Sequence, residues 1–129
     1  MKNTTARRRV LVVDDEISII GLLRDGLTSA GFEVDAAESA REALDLVKEN
    51  LYDVAIVDFA LPDMNGVMLH HELRQMDPEL AQRTLFISGR AQSEDDLSYF
   101  SSVASGFLSK PFAVEDVIRE LQKLLVDPE

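Results

Sequence analysis

The chain has no cysteine and no tryptophan among its 129 residues, and only six glycines and four prolines. Without cysteine there is no disulfide, no thiolate metal ligand and no cysteine nucleophile, a pattern that fits a reducing compartment. Nor is there an apolar run near the ~20 residues that a membrane-spanning helix needs, so no membrane span is expected. Lys2, Arg7, Arg8 and Arg9 imitate the basic start of a signal peptide, but the apolar stretch behind them, Val10 to Val13, is cut off by Asp14 and Asp15. A cytoplasmic protein is therefore expected. Positive charge is scarce, with 13 Lys and Arg against 24 Asp and Glu, a formal net charge of −11. That balance repels a phosphate backbone and opposes direct nucleic-acid binding by the domain. No glycine-rich loop follows the first apolar run, which disfavours a flavin or nucleotide site.

The 46% hydrophobic and 29% charged residues are ordinary for a globular chain. The length predicts one domain over residues 10–126, with a flexible basic tail at 1–9, a short tail at 127–129 and any output domain outside this chain. No internal repeat, low-complexity segment or interdomain linker is visible.

Val54, Ala55, Ile56 and Val57 run without alternation into Asp58. Such a run reads as a strand buried on both faces, as in a parallel sheet covered by helices. Ligands of such sheets bind outside the carboxyl ends of the strands. The segment from Phe59 to Gly66 cannot prolong the strand, because Pro62 lacks a donor and Asn65-Gly66 is turn chemistry. Asp58 therefore opens onto a loop at the functional edge.

The same pattern recurs along the chain. Val10 to Val13 is a second buried run ending in Asp14, Asp15 and Glu16. Ile20, Leu23, Leu27 and Ala30 then follow a helical period, with Gly31 placed to end it. Phe32 to Ala36 reads as a more polar edge strand. Ser39 to Glu42 has capping-box form ahead of an apolar face of Ala40, Ala43, Leu44 and Val47, fading near Asn50. Asn65 can cap a helix with the stripe Leu69, Leu73 and Met76, stopped by Asp77-Pro78. Thr84 to Ile87 ends at Ser88-Gly89. A polar helix is predicted from Ser93 through Val103, then a strand from Gly106 to Ser109 ending at Lys110-Pro111. Val114, Val117, Ile118, Leu121, Leu124 and Leu125 mark the last helix. His70 and His71 are adjacent, so they point to different helix faces. A packed or solvated pair is expected, not a metal site.

Five strand–helix alternations predict a three-layer α/β fold with a parallel sheet and right-handed crossovers. Asp14, Asp15, Asp58, Ser88 and Lys110 then gather at one sheet edge from four strand ends. Carboxylates at ~5 Å repel by roughly 3 kcal/mol per pair at an effective dielectric near 20, so the cluster calls for a cation. All-oxygen ligands favour Mg²⁺. Lys110 supplies a mobile point charge and Ser88 a hydroxyl donor, the groups needed to hold a phosphoryl group beside a metal. Gly89 leaves room for phosphoryl oxygens and backbone donation.

From Val10 to about Val126 the chain resembles the receiver domains of two-component response regulators. The matching elements, in order, are Asp14-Asp15, Asp58 followed by Leu61-Pro62 and Asn65-Gly66, Ser88 before Gly89, and Lys110-Pro111-Phe112. The resemblance implies a doubly wound, flavodoxin-like five-stranded parallel sheet of order 2-1-3-4-5. It implies a phosphorylation-activated signalling switch, in which a sensor histidine kinase or histidine phosphotransfer protein passes a phosphoryl group to Asp58. Mg²⁺, with Mn²⁺ as a substitute, would be held by Asp15, Asp58 and the Ala60 backbone carbonyl, and by Asp14 largely through water. The domain would catalyse its own phosphorylation and dephosphorylation without being a conventional turnover enzyme.

Further implications of the resemblance are a cis bond before Pro111, switching by Ser88 and Phe107, and tuning of acyl-phosphate hydrolysis by Ala60 and Arg90. Output to an unidentified partner, or phosphorylation-dependent homodimerisation, would use the surface of the fourth helix, fifth strand and fifth helix. Ser88 stands where Thr is commoner, and Phe107 lacks the hydroxyl of the alternative Tyr. Two other classes compete. An aspartate-nucleophile phosphatase of the haloacid dehalogenase type needs a second Asp two residues after the nucleophile, where this chain has Ala60. A receiver-like interaction module that takes no phosphate would not need the acidic pair, Asp58, Ser88 and Lys110 together.

Overall fold

The computed structural model describes residues 7–89, residue 98 and residues 106–125. The elements are β1 (Arg9–Val13), α1 (Ile17–Ser29), β2 (Glu33–Ala37), α2 (Ala40–Glu49), β3 (Val54–Asp58), α3 (Gly66–Met76), α4 (Pro78–Gln82), β4 (Thr84–Ser88), β5 (Gly106–Ser109) and α5 (Val114–Leu125). Among the described residues the strands form one five-stranded sheet in the order β2-β1-β3-β4-β5, and every pairing is parallel. This is the doubly wound order that the resemblance to receiver domains implies.

The uninterrupted apolar runs of β1 and β3 are buried on both faces because successive side chains point to opposite sides. Leu11, Val13, Ala55 and Val57 pack with Ala40, Ala43, Leu69, Leu73 and Leu80, on the side of α2, α3 and α4. Val10, Val12, Val54 and Ile56 pack with Ile20, Leu23, Leu27, Val117 and Leu121, on the side of α1 and α5. Each fully buried Val, Leu or Ile contributes roughly 1.5–3 kcal/mol relative to exposure. That makes the register of the central strands hard to shift, and it is this register that aligns the strand ends.

Helix boundaries follow local chemistry. Gly31 has φ of +100° just beyond α1, a conformation that glycine adopts without a Cβ penalty. Asn65 caps α3 by accepting Met68 N–H at 2.9 Å. Ser39 caps α2 by accepting Glu42 N–H at 3.1 Å. The returning arm of the expected capping box goes elsewhere: Glu42 Oε1 accepts from Glu38 N–H at 2.7 Å.

Several expectations need correction. Asp77-Pro78 ends α3 but also starts a helix, α4, with Pro78 in its first turn and Asp77 Oδ1 accepting Leu80 N–H. Proline is favoured there because its missing N–H would have no helical partner. Ala30 lies past the end of α1 and is exposed, and Met76, the last residue of α3, is exposed as well. His70 takes the inward place, buried with Nε2 2.7 Å from the Ala81 carbonyl oxygen and its ring 5.4 Å from Phe86. His71 is exposed.

Arg9, assigned to the flexible tail in the sequence, is the first residue of β1. Its guanidinium pairs with Asp35 at 3.0 Å and lies 5.0 Å over the Tyr52 ring, and its N–H donates to Asp53 at 2.7 Å. These contacts sit at the amino edge of the sheet, away from the strand ends that carry the acidic cluster. The helix expected over 93–103 falls outside the described residues apart from residue 98.

Candidate functional site

The parallel register brings the carboxyl ends of β1, β3, β4 and β5 together. Val13 pairs with Val57, Asp58 with Ile87, and Ser88 with Ser109. Asp14 follows β1, Asp58 ends β3, Ser88 ends β4 and Lys110 follows β5. Lys110 is held close to β4 because its N–H donates to the Ser88 carbonyl at 2.7 Å. Its bond to Pro111 is cis.

β4 lies between β3 and β5, so the Lys110 side chain must reach past the end of β4 to meet Asp58. It does so, with Nζ 3.2 Å from Asp58 Oδ2. The same ammonium lies 3.0 Å from Asp14 Oδ2 and 2.5 Å from Glu16 Oε1. A Cβ at Gly89 would stand 3.6 Å from Lys110 Cδ. That is ordinary van der Waals contact, so the protein alone does not require glycine there.

Asp14, Asp58 and Ser88 are buried. Burial pushes the Asp14 carboxyl above its ordinary range, against the opposing pull of Glu16 N–H and Lys110. Burial also works against the charged form of Lys110, yet the hydrogen bond to Glu16 and the ion pairs with Asp14 and Asp58 prevail and raise its pKa. The loop after β3 is closed tightly over the site. Ala60 N–H donates to Asp58 Oδ1 at 3.1 Å, Gly66 N–H to the Phe59 carbonyl at 2.6 Å, and Ala60 bridges Asn65. A Cβ on Gly66 would come within 3.0 Å of Phe59 Cα, which accounts for glycine at that turn.

A cleft of about 340 Å³ is lined by Asp15, Glu16, Asp58, Ala60, Gly89 and Lys110. Carboxylate oxygens of Asp14, Glu16 and Asp58 fall within 4.8 Å of one another. Asp14 Oδ2 is buried and accepts no hydrogen bond among the described residues; its near partner is the Lys110 ion. An orphaned buried carboxylate oxygen beside an all-oxygen donor set fits a hard divalent cation such as Mg²⁺. Glu16 was not selected as a site residue from the sequence. The signal was its place directly after the acidic pair: its N–H donates to Asp14 Oδ1 at 2.8 Å, and this turn brings its longer side chain back to Lys110.

Phe107 is half-buried against the core beneath α2, α3 and α4, in register with Phe86. Arg90 lies outside the described residues. No helix among the described residues is long and apolar enough to cross a membrane.

Comparison with known proteins agrees with this geometry. Residues 10–122 match the response regulator receiver domain. The virulence transcriptional regulatory protein PhoP of Salmonella typhimurium is 39% identical over 117 residues, 91% of this chain and 51% of that protein. The chain thus spans about half the length of the curated relatives it matches. Chemotaxis response regulator CheY4 of Vibrio cholerae is 33% identical with a TM-score of 0.82, covering 93% of this chain and 100% of that one. Response regulator TrrA of Thermotoga maritima, solved in complex with Mg²⁺ and BeF, is 31% identical with a TM-score of 0.80, covering 92% and 99%. The family acts as a signalling switch by aspartate phosphorylation, and histidine kinases phosphorylate its members. With the family's sheet order, its matched sequence and acid–lysine strand ends converging on one cleft, this chain belongs to the receiver domains of two-component response regulators.

Proposed function

We propose that Asp58 is the phosphoacceptor of this receiver domain, supplied by the phosphohistidine of a sensor kinase or a histidine phosphotransfer protein. A carboxylate oxygen of Asp58 attacks phosphorus, the phosphorus–nitrogen bond breaks, and its electron pair leaves with the imidazole, which takes up a proton. Lys110, Ser88 and Gly89 hold the phosphoryl oxygens, the lysine as a point charge and the others as hydrogen-bond donors. A divalent cation, Mg²⁺ or Mn²⁺ in its place, would be held by Asp15, Asp58 and the Ala60 backbone carbonyl, with Asp14 acting through water, and would neutralise charge on the transferred group. The domain catalyses its own phosphorylation and hydrolysis, with Ala60 and Arg90 setting the lifetime. It works in the cytoplasm. Ser88 and Phe107 carry the change to the surface of β5 and α5, where an output partner or a second copy docks.

The observation that carries this reading is the reach of Lys110 past the end of β4 to Asp58, 3.2 Å away, beside the unsatisfied Asp14 oxygen. Incubation with Mg²⁺ and acetyl phosphate should add one phosphoryl mass, and Asp58→Asn should abolish it. Equal incorporation in Asp58→Asn would assign the phosphate elsewhere, and none in the wild type would leave a receiver-like interaction module.

A further inference from the structure

Glu16 stands where α1 begins, at the N-cap position, yet its side chain accepts no hydrogen bond from the helix. The residues that cap a helix with their side chains are Asp, Asn, Ser and Thr, and the longer Glu is not among them. Here the carboxylate turns instead to Lys110, 94 residues away in sequence and 2.5 Å in space. A lysine ammonium has three donors. Glu16 and Asp58 accept hydrogen bonds from this one at 2.5 and 3.2 Å, and Asp14 Oδ2 lies 3.0 Å away as an ion pair without a hydrogen bond, so three carboxylates already balance its charge before any phosphoryl group arrives.

The three partners are not equivalent. Asp14 and Asp58 have side chains 0% and 7% exposed, whereas Glu16 is 55% exposed. Water can therefore replace the lysine at Glu16 at little cost, while either buried carboxylate would be left uncompensated.

We propose that Glu16 is a positioning residue that sets the resting place of the Lys110 ammonium and competes for it with the phosphoryl oxygens on Asp58. On phosphorylation the Lys110–Glu16 contact is the one that opens, and its loss is subtracted from the affinity of the site for the phosphoryl group. The inference rests on the assignment of Asp58 as phosphoacceptor.

The test is beryllofluoride binding at saturating Mg²⁺, followed by NMR of backbone amides and of the Lys110 ammonium. Glu16→Gln keeps the length of the side chain but removes its charge, and should tighten binding about two- to fivefold, the scale of a half-exposed ion pair. Glu16→Asp keeps the charge but withdraws it by one methylene, and should tighten binding too. The Lys110 ammonium resonance should move in both unliganded variants. In a Lys110→Ala background, Glu16→Gln should change nothing.

Three results would overturn the proposal. Equal tightening with and without Lys110 would mean a through-space charge effect. No tightening by Glu16→Asp would mean the same. Weaker binding in Glu16→Gln, with a large loss of Mg²⁺ affinity, would make Glu16 a metal ligand. Failure of the wild type itself to bind beryllofluoride would instead remove the phosphoacceptor reading.

Discussion

The Asp63 carboxylate, on the loop after β3, accepts the backbone N–H of Ala40 at 2.9 Å and that of Arg41 at 2.9 Å, so a residue of the loop that follows Asp58 closes the N-terminus of α2. These two hydrogen bonds hold the Asp63 carboxyl below its ordinary value of 3.8. A depressed carboxyl contributes stability that is present above the unfolded pKa and lost as pH falls through the lower folded value. Asp63→Ala should cost about 1 kcal/mol near neutral pH, the scale of a lost N-terminal cap. Urea midpoints should show the gap between wild type and variant narrowing as pH falls below 3.8. A constant gap would detach the effect from the ionised carboxylate.

His70 supplies the opposite chemistry on the same side of the sheet. Burial lowers its pKa below 6.5, partly offset by the bond to the Ala81 carbonyl, so the folded state resists its protonation. The unfolded state takes up a proton first as pH falls, and stability should decline from about pH 6.5 downwards. His70→Gln retains a donor for Ala81 and removes the titration. Its stability should change less between pH 7 and pH 5 than that of the wild type.

Gly26 lies on α1 where that helix meets the start of α5. A Cβ there would stand 2.4 Å from Val114 Cγ1. Gly26→Ala should therefore destabilise by roughly 1–3 kcal/mol through overpacking, although alanine is the better helix former. Adding Val114→Ala should recover most of that loss. No recovery in thermal unfolding would place the cost in the helix instead of the contact.

Magnesium affinity should fall further in Asp15→Asn than in Asp14→Asn, because Asp15 lines the cleft and is proposed to bind the ion directly, whereas Asp14 is proposed to act through water. Calorimetric titration of both variants checks the order. Equal losses would put both carboxylates in the same role.

Ser88→Ala should still accept phosphate at Asp58 but transmit it poorly. A phosphoryl group biases the switch only by contacts that differ between the two states. One charge-assisted hydrogen bond is worth ~1.5–3 kcal/mol, roughly a 10- to 150-fold shift in population. Amide shifts from Phe107 to Leu121 on adding beryllofluoride should shrink in the variant. A full wild-type response would remove Ser88 from the coupling.

The sequence by itself determined the strands, their burial and most helix limits, because those are encoded within a few neighbouring residues. Val54 to Val57 reads as a strand buried on both faces and is one, and Ser39, Asn65 and Gly31 mark helix ends by their own local chemistry. It also placed Asp14, Asp58, Ser88 and Lys110 at strand ends, and a parallel sheet then brings strand ends to one edge. Tertiary structure alone decided which groups touch. Glu16 reaches Lys110 across 94 residues, Asp63 reaches Ala40 across 23, and Arg9 reaches Asp53 across 44. It also chose His70 for the core over Met76, and made Asp77 a cap where the sequence read as a stop. No local period encodes these pairings. They depend on how far one loop leans over another once both helical layers have packed onto the sheet, and that distance exists only in the folded chain.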